Sequence, residues 1–500
     1  MTDFLLKKRP NIVLIMCDQM RGDCLGIAGH PDVKTPYLDS LAAEGTYFPN
    51  AYSACPSCIP ARAALFTGLS QEHHHRVGYQ DGITWDYPHM LPAALSDGGY
   101  HTEMVGKMHV HPPLYRCGFQ NMTLHDGYIG YYRNPNAPAK EHQLFHDSYL
   151  HWLKCRCGYD ADVNDAGLEC NSFLVKPWPY DEMSHPTNWT VSESIRFLEQ
   201  RDRSQPFFLM TSFVRPHPPL DAPKDYLDFY MQMDLHEPAM GDWAHFEKER
   251  VQAGRMYDSP YGTDDPTLRR TAMAGYYACI THMDHQIGRL IQALYRERIL
   301  EDTIILFTSD HGELLFDHGL FRKVQPFQGS IRIPFLIRVG KNLIDYPQTA
   351  ICDDLVELRD ILPTILSATR IPLTFPTDGF DLIPALYGKP HQQRDFLHGE
   401  HSGGNLSNQY IVTKEDKYIW YSQTGKELYF DLKSDKIEVN NRMEDPSVSQ
   451  RIKYLRNLLI TQLTGREEGY SDGQNLVIGC KPVCSHLPIH QIGGTYETND

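Results

Sequence analysis

Cys58 opens the most chemically suggestive run of the chain, Cys58-Ile-Pro60-Ala-Arg62-Ala-Ala-Leu-Phe-Thr67-Gly68. Pro60 is suited to the start of a helix, Ala-Arg-Ala-Ala-Leu-Phe favours one, and Gly68 is a natural stop. The reading predicts Cys58 at a helix N-terminus. Unpaired N–H groups and the helix dipole favour negative charge there, activating a nucleophile and holding an anionic substrate. Arg62, one turn on, can point back to the same spot. The string Cys55-Pro56-Ser57-Cys58 also reads as a redox pair. In such a pair the first cysteine opens the helix of a small domain; here the second does, in a long chain. A third reading is an ordinary buried thiol.

Four further groups of polar residues each follow a strand-like run. Asp18-Gln19 follow Ile12–Met16, and Lys107 and His109 follow a short strand ending at Val105. His217 follows Phe207–Ser212, and Asp310-His311, with Glu313 beyond, follow Thr303–Thr308. In open parallel sheets ligands bind beyond the carboxyl ends of the strands, so all four groups are expected at one edge. Taken singly, each has a structural explanation, as a cap, turn residue or surface charge. Their joint placement with Cys58 argues for a site. Asp18, Gln19 and Asp310 are hard oxygen donors and His311 adds one nitrogen. That set suits Ca²⁺, Mg²⁺ or Mn²⁺, the imidazole tilting towards Mn²⁺. Glu313 is expected in a supporting role.

These residues need a scaffold of alternating strands and helices, which predicts an α/β fold with a large, mostly parallel sheet between helices. Thr35-Pro36 opens a helix ended by Gly45. Thr190 and Glu193 read as a capping box for a helix to about Gln200. Asp284–Arg298 reads as an amphipathic helix, Ile333–Val339 as a strand and Asp354–Thr369 as a helix bent near Pro363. The character changes near residue 388. Lys417–Tyr421 and Glu427–Asp431 read as antiparallel strands turning at Thr424-Gly425, followed by a helix over 447–463. The expected organisation is a catalytic domain over 1–388, with a loop-rich insert at about 116–186, and a smaller α+β domain over 389–500.

A formal charge of −16, from 47 basic and 63 acidic residues, argues against a nucleic-acid partner. No apolar run is long enough to cross a membrane. The N-terminal segment lacks a signal-peptide layout, so a cytoplasmic location is expected and the 12 cysteines are expected as thiols. Cys155, Cys157 and Cys170 cluster loosely near histidines, a weak zinc pattern.

The segments Arg9–Gln19, Cys58–Arg62, Gly106–His109, Pro216–Pro218, Thr308–Glu313, Phe321–Lys323 and Ser330–Pro334 resemble, in order, those of the type I sulfatases of the alkaline-phosphatase-like superfamily. The resemblance implies that Cys58 is oxidised to formylglycine, whose hydrate attacks the sulfur of a sulfate monoester. It implies one divalent cation, Ca²⁺ first and Mn²⁺ or Mg²⁺ as alternatives, held by Asp18, Gln19, residue 58, Asp310 and His311. Lys107 and Lys323 would offset charge on the sulfate oxygens, His217 would protonate the leaving alkoxide, His109 would act as base, and Arg62 would hold the nucleophile's turn. The implied partners are a small sulfated saccharide and a formylglycine-generating or anaerobic sulfatase-maturing enzyme acting on Cys58. Gln19 and His311 stand where many arylsulfatases have Asp and Asn. That combination is similar to choline sulfatases, phosphonate monoester hydrolases and bacterial glycan sulfatases. It keeps phosphonate or phosphate esters and choline sulfate as alternative substrates. A non-catalytic binding protein on the same fold is a further alternative.

Overall fold

A computed structural model describes residues 6–129, 147–246, 249, 256–345 and 347–488. In chain order its strands are β1 (Asn11–Asp18), β2 (Thr46–Tyr47), β3 (Ala51–Tyr52), β4 (His101–Gly106), β5 (Asn121–Leu124), β6 (Phe207–Pro216), β7 (Thr303–Ser309), β8 (Phe335–Val339), β9 (Val356–Glu357), β10 (Leu397–His401), β11 (Asn408–Val412), β12 (Asp416–Tyr421) and β13 (Glu427–Asp431).

Seven of them form one sheet in the order β2-β8-β7-β1-β6-β4-β5. The pairs β1–β6, β1–β7, β4–β6 and β4–β5 are parallel, while β8 runs antiparallel to β7 and β2. β1 and β7 carry continuous apolar runs, Ile12–Cys17 and Ile304–Phe307, and that of β6 is broken only by Thr211-Ser212 before Arg215, because both faces of the sheet are covered. Alternate side chains serve the two covers. Ile12, Leu14, Met16, Met210 and Leu306 meet the helices Cys58–Thr67 and Ile361–Thr369 on one face. Val13, Ile15, Leu209, Ile305 and Phe307 meet the helices Pro36–Glu44, Pro186–Gln200 and Pro266–Arg296 on the other.

The strand register brings the expected edge together. Cys17 pairs with Ser309, Asp18 with Pro216 and Gly106 with Ser212, so the residues leaving β1, β4, β6 and β7 emerge side by side. Gly106 makes the tightest of these junctions: with φ +99°, a Cβ there would lie 2.0 Å from Ser212 O.

The antiparallel sheet β10-β11-β12-β13 packs one face, with Tyr410, Val412, Ile419, Tyr421 and Phe430, onto Tyr52, Leu320, Phe327 and Ile331. Its other face, with Ile411, Tyr418 and Trp420, receives Leu455, Leu459 and Leu463 of the helix Ser449–Leu463. The turn at Gly425 has φ +72°, and Gly425 N–H donates to Tyr421 O at 2.8 Å.

Several helix boundaries differ from expectation. The first site helix begins at Cys58, after an extended Ser57, and Pro60 lies within its first turn, where no intrahelical N–H is required. Thr190 is mid-helix, donating to Pro186 O at 2.9 Å; the cap is His185, whose Nδ1 accepts from Thr187 N–H at 3.1 Å. The helix expected at Asp284–Arg298 runs over Pro266–Arg296, capped by Asp265 accepting from Thr267 and Leu268 N–H at 2.8 and 3.2 Å. The Asp354–Thr369 segment begins with β9 and a 3₁₀ turn closed by a Glu357–Asp360 capping box, so the α-helix starts only at Ile361. Within the expected insert, β5 and the helix Ser148–Cys157 are formed, and residues 130–146 lie outside the described residues.

Candidate active site

Each strand edge delivers its residues to Cys58. The Cys58 Sγ lies 3.6 and 3.7 Å from the Asp18 carboxylate oxygens, 3.3 Å from His311 Nε2 and 3.5 Å from Lys323 Nζ. Lys107 Nζ donates to Asp18 Oδ2. All of these residues are buried. The helix N-terminus faces the same spot, as the spacing predicted.

Asp18, Cys58, Asp310 and His311 each present one ligand atom, all within 4.8 Å of one another. The fit to a cation follows from the imidazole. His311 Nδ1 is 3.0 Å from Gly312 O, and a carbonyl only accepts, so Nδ1 carries the proton. The Nε2 lone pair then faces Asp18 Oδ1 at 3.5 Å and Asp310 Oδ1 at 3.6 Å. Two carboxylate oxygens and an imidazole lone pair converging in this way are a donor set that a divalent cation would bind. Gln19 Oε1 accepts from Lys323 Nζ at 2.7 Å, and its Nε2 donates to Glu313. Glu313 also accepts from the backbone N–H groups of Leu315, at 2.8 Å, and Arg322. Glu313 therefore anchors Gln19 and both ends of the 315–322 loop that leads into Lys323, the supporting role expected of it.

Arg62 lies wholly under the site. It donates to Asp310 Oδ2 at 3.2 Å, to Lys107 O at 2.8 Å and to Ser212 Oγ at 3.1 Å, tying three strand ends to the nucleophile's helix. His217 N–H donates to Asp18 O at 3.0 Å, and its Nδ1–H to Pro218 O at 2.8 Å. Asp126 Oδ1 accepts from Met108 N–H at 2.7 Å and His109 N–H at 3.0 Å, fixing the turn that carries His109. Gln19, His109, Arg322 and Val324 all have left-handed backbones, with φ of 70°, 56°, 73° and 74°. Non-glycine residues hold such conformations where the surroundings over-determine them, and they cluster at functional sites.

The electrostatics match this arrangement. Burial raises the Cys58 thiol to about 11, aided by Asp18 and opposed by Lys323 and Lys107. Burial opposes the charge on Asp18, but the Lys107 and Lys323 ammonium groups outweigh it and hold its carboxyl well below the usual range. Burial also lowers His217, with Lys323 adding to the effect.

Asp18, Gln19, Lys107, His217, Asp310 and His311 thus lie at the sheet edge, Cys58 and Arg62 reach it from their helix and Lys323 from the loop after β7, while His109 follows β4 on the turn that Asp126 fixes. Ser212 and Asp126 were missed: Ser212 was hidden as one more residue of a mostly apolar strand, and Asp126 inside the weakly periodic insert. The Cys155, Cys157 and Cys170 zinc pattern is not formed: Cys155 is exposed, 3.8 Å from His151 Nε2, and none of the three belongs to a metal-type cluster among the described residues.

Comparison with known proteins agrees with this geometry. The sulfatase family model matches residues 10–371, and that of the N-sulphoglucosamine sulphohydrolase C-terminal region matches 316–464. The chain is 49% identical over 471 residues to an arylsulfatase of Clostridium perfringens strain 13, covering 94% of this chain and 98% of that protein. It is 29% identical to a choline-sulfatase of Rhizobium meliloti strain 1021, covering 88% and 83%. The crystal structure of the phosphonate monoester hydrolase of Agrobacterium radiobacter superposes with a TM-score of 0.75 at 27% identity, covering 96% of this chain and all of that one. With a nucleophile position, a cation-type cluster and two lysines meeting at the edge of such a sheet, the chain belongs to the sulfatase family, the sulfuric ester hydrolases of alkaline-phosphatase-like fold.

Proposed function

We propose that the protein cleaves sulfate monoesters of hydroxylated molecules, saccharides above all, by R–O–SO₃⁻ + H₂O → R–OH + HSO₄⁻, with residue 58 acting as formylglycine. The observation that carries this reading is the position of Cys58 Sγ, 3.3 Å from His311 Nε2 and 3.5 Å from Lys323 Nζ. Residue 58 stands where the cation-type cluster and the lysines that would receive an anion meet. A formylglycine-generating or anaerobic sulfatase-maturing enzyme would convert Cys58, and the hydrated aldehyde offers a hydroxyl nucleophile.

Asp18, Asp310 and His311, with Gln19 Oε1 and residue 58, would hold one divalent cation, Ca²⁺ or else Mn²⁺ or Mg²⁺. Bound there, it would supply Lewis-acid polarisation of the sulfate oxygens. The chain's own groups do the rest. Lys107 and Lys323 offset negative charge that grows on those oxygens. His217 Nδ1–H is committed to Pro218 O, so Nε2 is the nitrogen through which a proton would be exchanged with the leaving oxygen. His109 is the base that frees the enzyme after sulfur transfer. Arg62 positions the helix and strand ends and does not touch substrate.

The likeness to a phosphonate monoester hydrolase favours a second reading on a related ester, which is also a monoanion. Steady-state kinetics of the matured, metal-replete enzyme on phenyl sulfate and phenyl phenylphosphonate decide between them. A higher kcat/KM on the sulfate supports the first reading, and a higher value on the phosphonate the second.

A further inference from the structure

The C-terminal sheet ends against the site with a row of polar side chains. His401, Asn408 and Tyr421 are directly paired across β10, β11 and β12. Paired residues project from the same face, and the strand alternation puts this row on the face with Tyr410 and Val412, which packs against the rest of the chain. Asn408 Nδ2 donates to Val324 O at 3.1 Å, and Tyr421 OH donates to Gln325 Oε1 at 3.0 Å. The row therefore rests on the segment just after Lys323. His401 is the member of the row paired directly with Asn408.

These contacts leave three polar atoms over. His401 Nε2, Asn408 Oδ1 and Gln325 Nε2 are buried without a hydrogen-bond partner. Buried polar atoms almost always have one, and each orphan is costly. Three at one place, an amide donor, an amide acceptor and an imidazole nitrogen that is either, complement alcohol hydroxyls, which both donate and accept. They suit neither a quaternary ammonium group nor an aryl ring, which offer no such partners.

We infer that His401 and Asn408, with Gln325, form a subsite for the hydroxyls of the substrate's leaving alcohol, so that the C-terminal sheet selects polyhydroxylated leaving groups. This rests on the sulfatase reading above. The sulfate is held by the strand-edge residues, and the orphaned atoms hold the part of the ester that departs.

The test uses the full-length, matured, metal-loaded enzyme and two variants, His401→Gln and Asn408→Ala. Each is assayed on phenyl sulfate and on a panel of hexose and N-acetylhexosamine monosulfates. Wild type is expected to prefer at least one sugar sulfate over phenyl sulfate. Each variant is expected to lose about tenfold more kcat/KM on that sugar than on phenyl sulfate, chiefly through KM, as fits one lost hydrogen bond. The deoxy analogue lacking the contacted hydroxyl should remove the difference between wild type and variant. Equal losses on both ester types, or a wild type that cleaves phenyl sulfate but prefers no sugar, overturn the inference and leave the sulfatase reading standing. A wild type that cleaves no sulfate ester overturns both. Near-native thermal melting of at least one variant separates binding from misfolding.

Discussion

Arg62 donates its Nε–H to Asp310 Oδ2 across 3.2 Å, and both side chains are entirely out of water. The same guanidinium holds Lys107 O and Ser212 Oγ, so one residue links the nucleophile's helix to β7, β4 and β6. Arg62→Lys keeps a charge but loses the planar fork. Breaking such a buried pair costs about 3–5 kcal/mol, and a displacement of about 1 Å costs about 10²-fold in rate. Arg62→Lys is expected to melt at a lower temperature than wild type and to show kcat reduced by about that factor with a smaller change in KM. A variant with native melting and native kcat would remove Arg62 from its positioning role.

Asp310 also bears on the cation. Asp310→Asn exchanges a carboxylate in the four-residue cluster for a neutral amide while keeping an oxygen. The metal content of the purified variant, read by elemental analysis, should fall well below that of wild type. Chelation of wild type should abolish turnover, and re-addition of Ca²⁺, Mn²⁺ or Mg²⁺ should identify the ion that restores it. Full activity after exhaustive chelation would contradict the cation assignment.

Lys323 reaches residue 58 at 3.5 Å and Gln19 Oε1 at 2.7 Å. Lys323→Ala removes one of the two lysine cations at the site and leaves Gln19 Oε1 without its donor. The loss should fall on kcat/KM, by about 10²–10³-fold, the size typical of one donor that stabilises transition-state charge. Lys323→Arg should recover part of it. An alanine variant within threefold of wild type would place Lys323 outside the chemistry.

The Arg215–Asp221 pair predicts an acid limb of stability. Burial by itself would raise the Asp221 carboxyl, but Arg215 and His185 outweigh it and bring it from 3.8 down to about 2. Arg215 Nε and Nη2 sit 2.7 and 2.6 Å from its two oxygens. A lowered folded-state value means that the contribution is full above about pH 4 and is lost as pH falls through about 2. The contribution is about 2–3 kcal/mol. Asp221→Asn should destabilise the protein at neutral pH and flatten the fall in melting temperature between pH 4 and pH 2. An unchanged acid limb would show that other carboxylates govern it.

The catalytic edge was legible because it is written locally. Each polar cluster follows its own strand, and parallel strands carry such clusters to one side whatever the exact register. Asp18, Lys107, His217 and Asp310 could therefore be placed together without knowing that Asp18 pairs with Pro216. What joins distant segments was not legible. Glu313 works by reaching Gln19 and the turn at Arg322, contacts that only folding creates. His401 lies at the end of an ordinary strand, and only the docking of the C-terminal sheet brings its row against the segment after Lys323. Helix starts misled where two signals competed: Thr190 with Glu193 imitates a cap, while the real one is His185 followed by Pro186.

The most direct measurement is the mass of the peptide containing residue 58, from protein co-expressed with a formylglycine-generating enzyme and shown to cleave phenyl sulfate. The account predicts a residue lighter than cysteine by the difference between a thiol-bearing methylene and an aldehyde, in a fraction of molecules that tracks specific activity. An intact cysteine in fully active protein would contradict it and make the thiol at position 58 the nucleophile or a bystander.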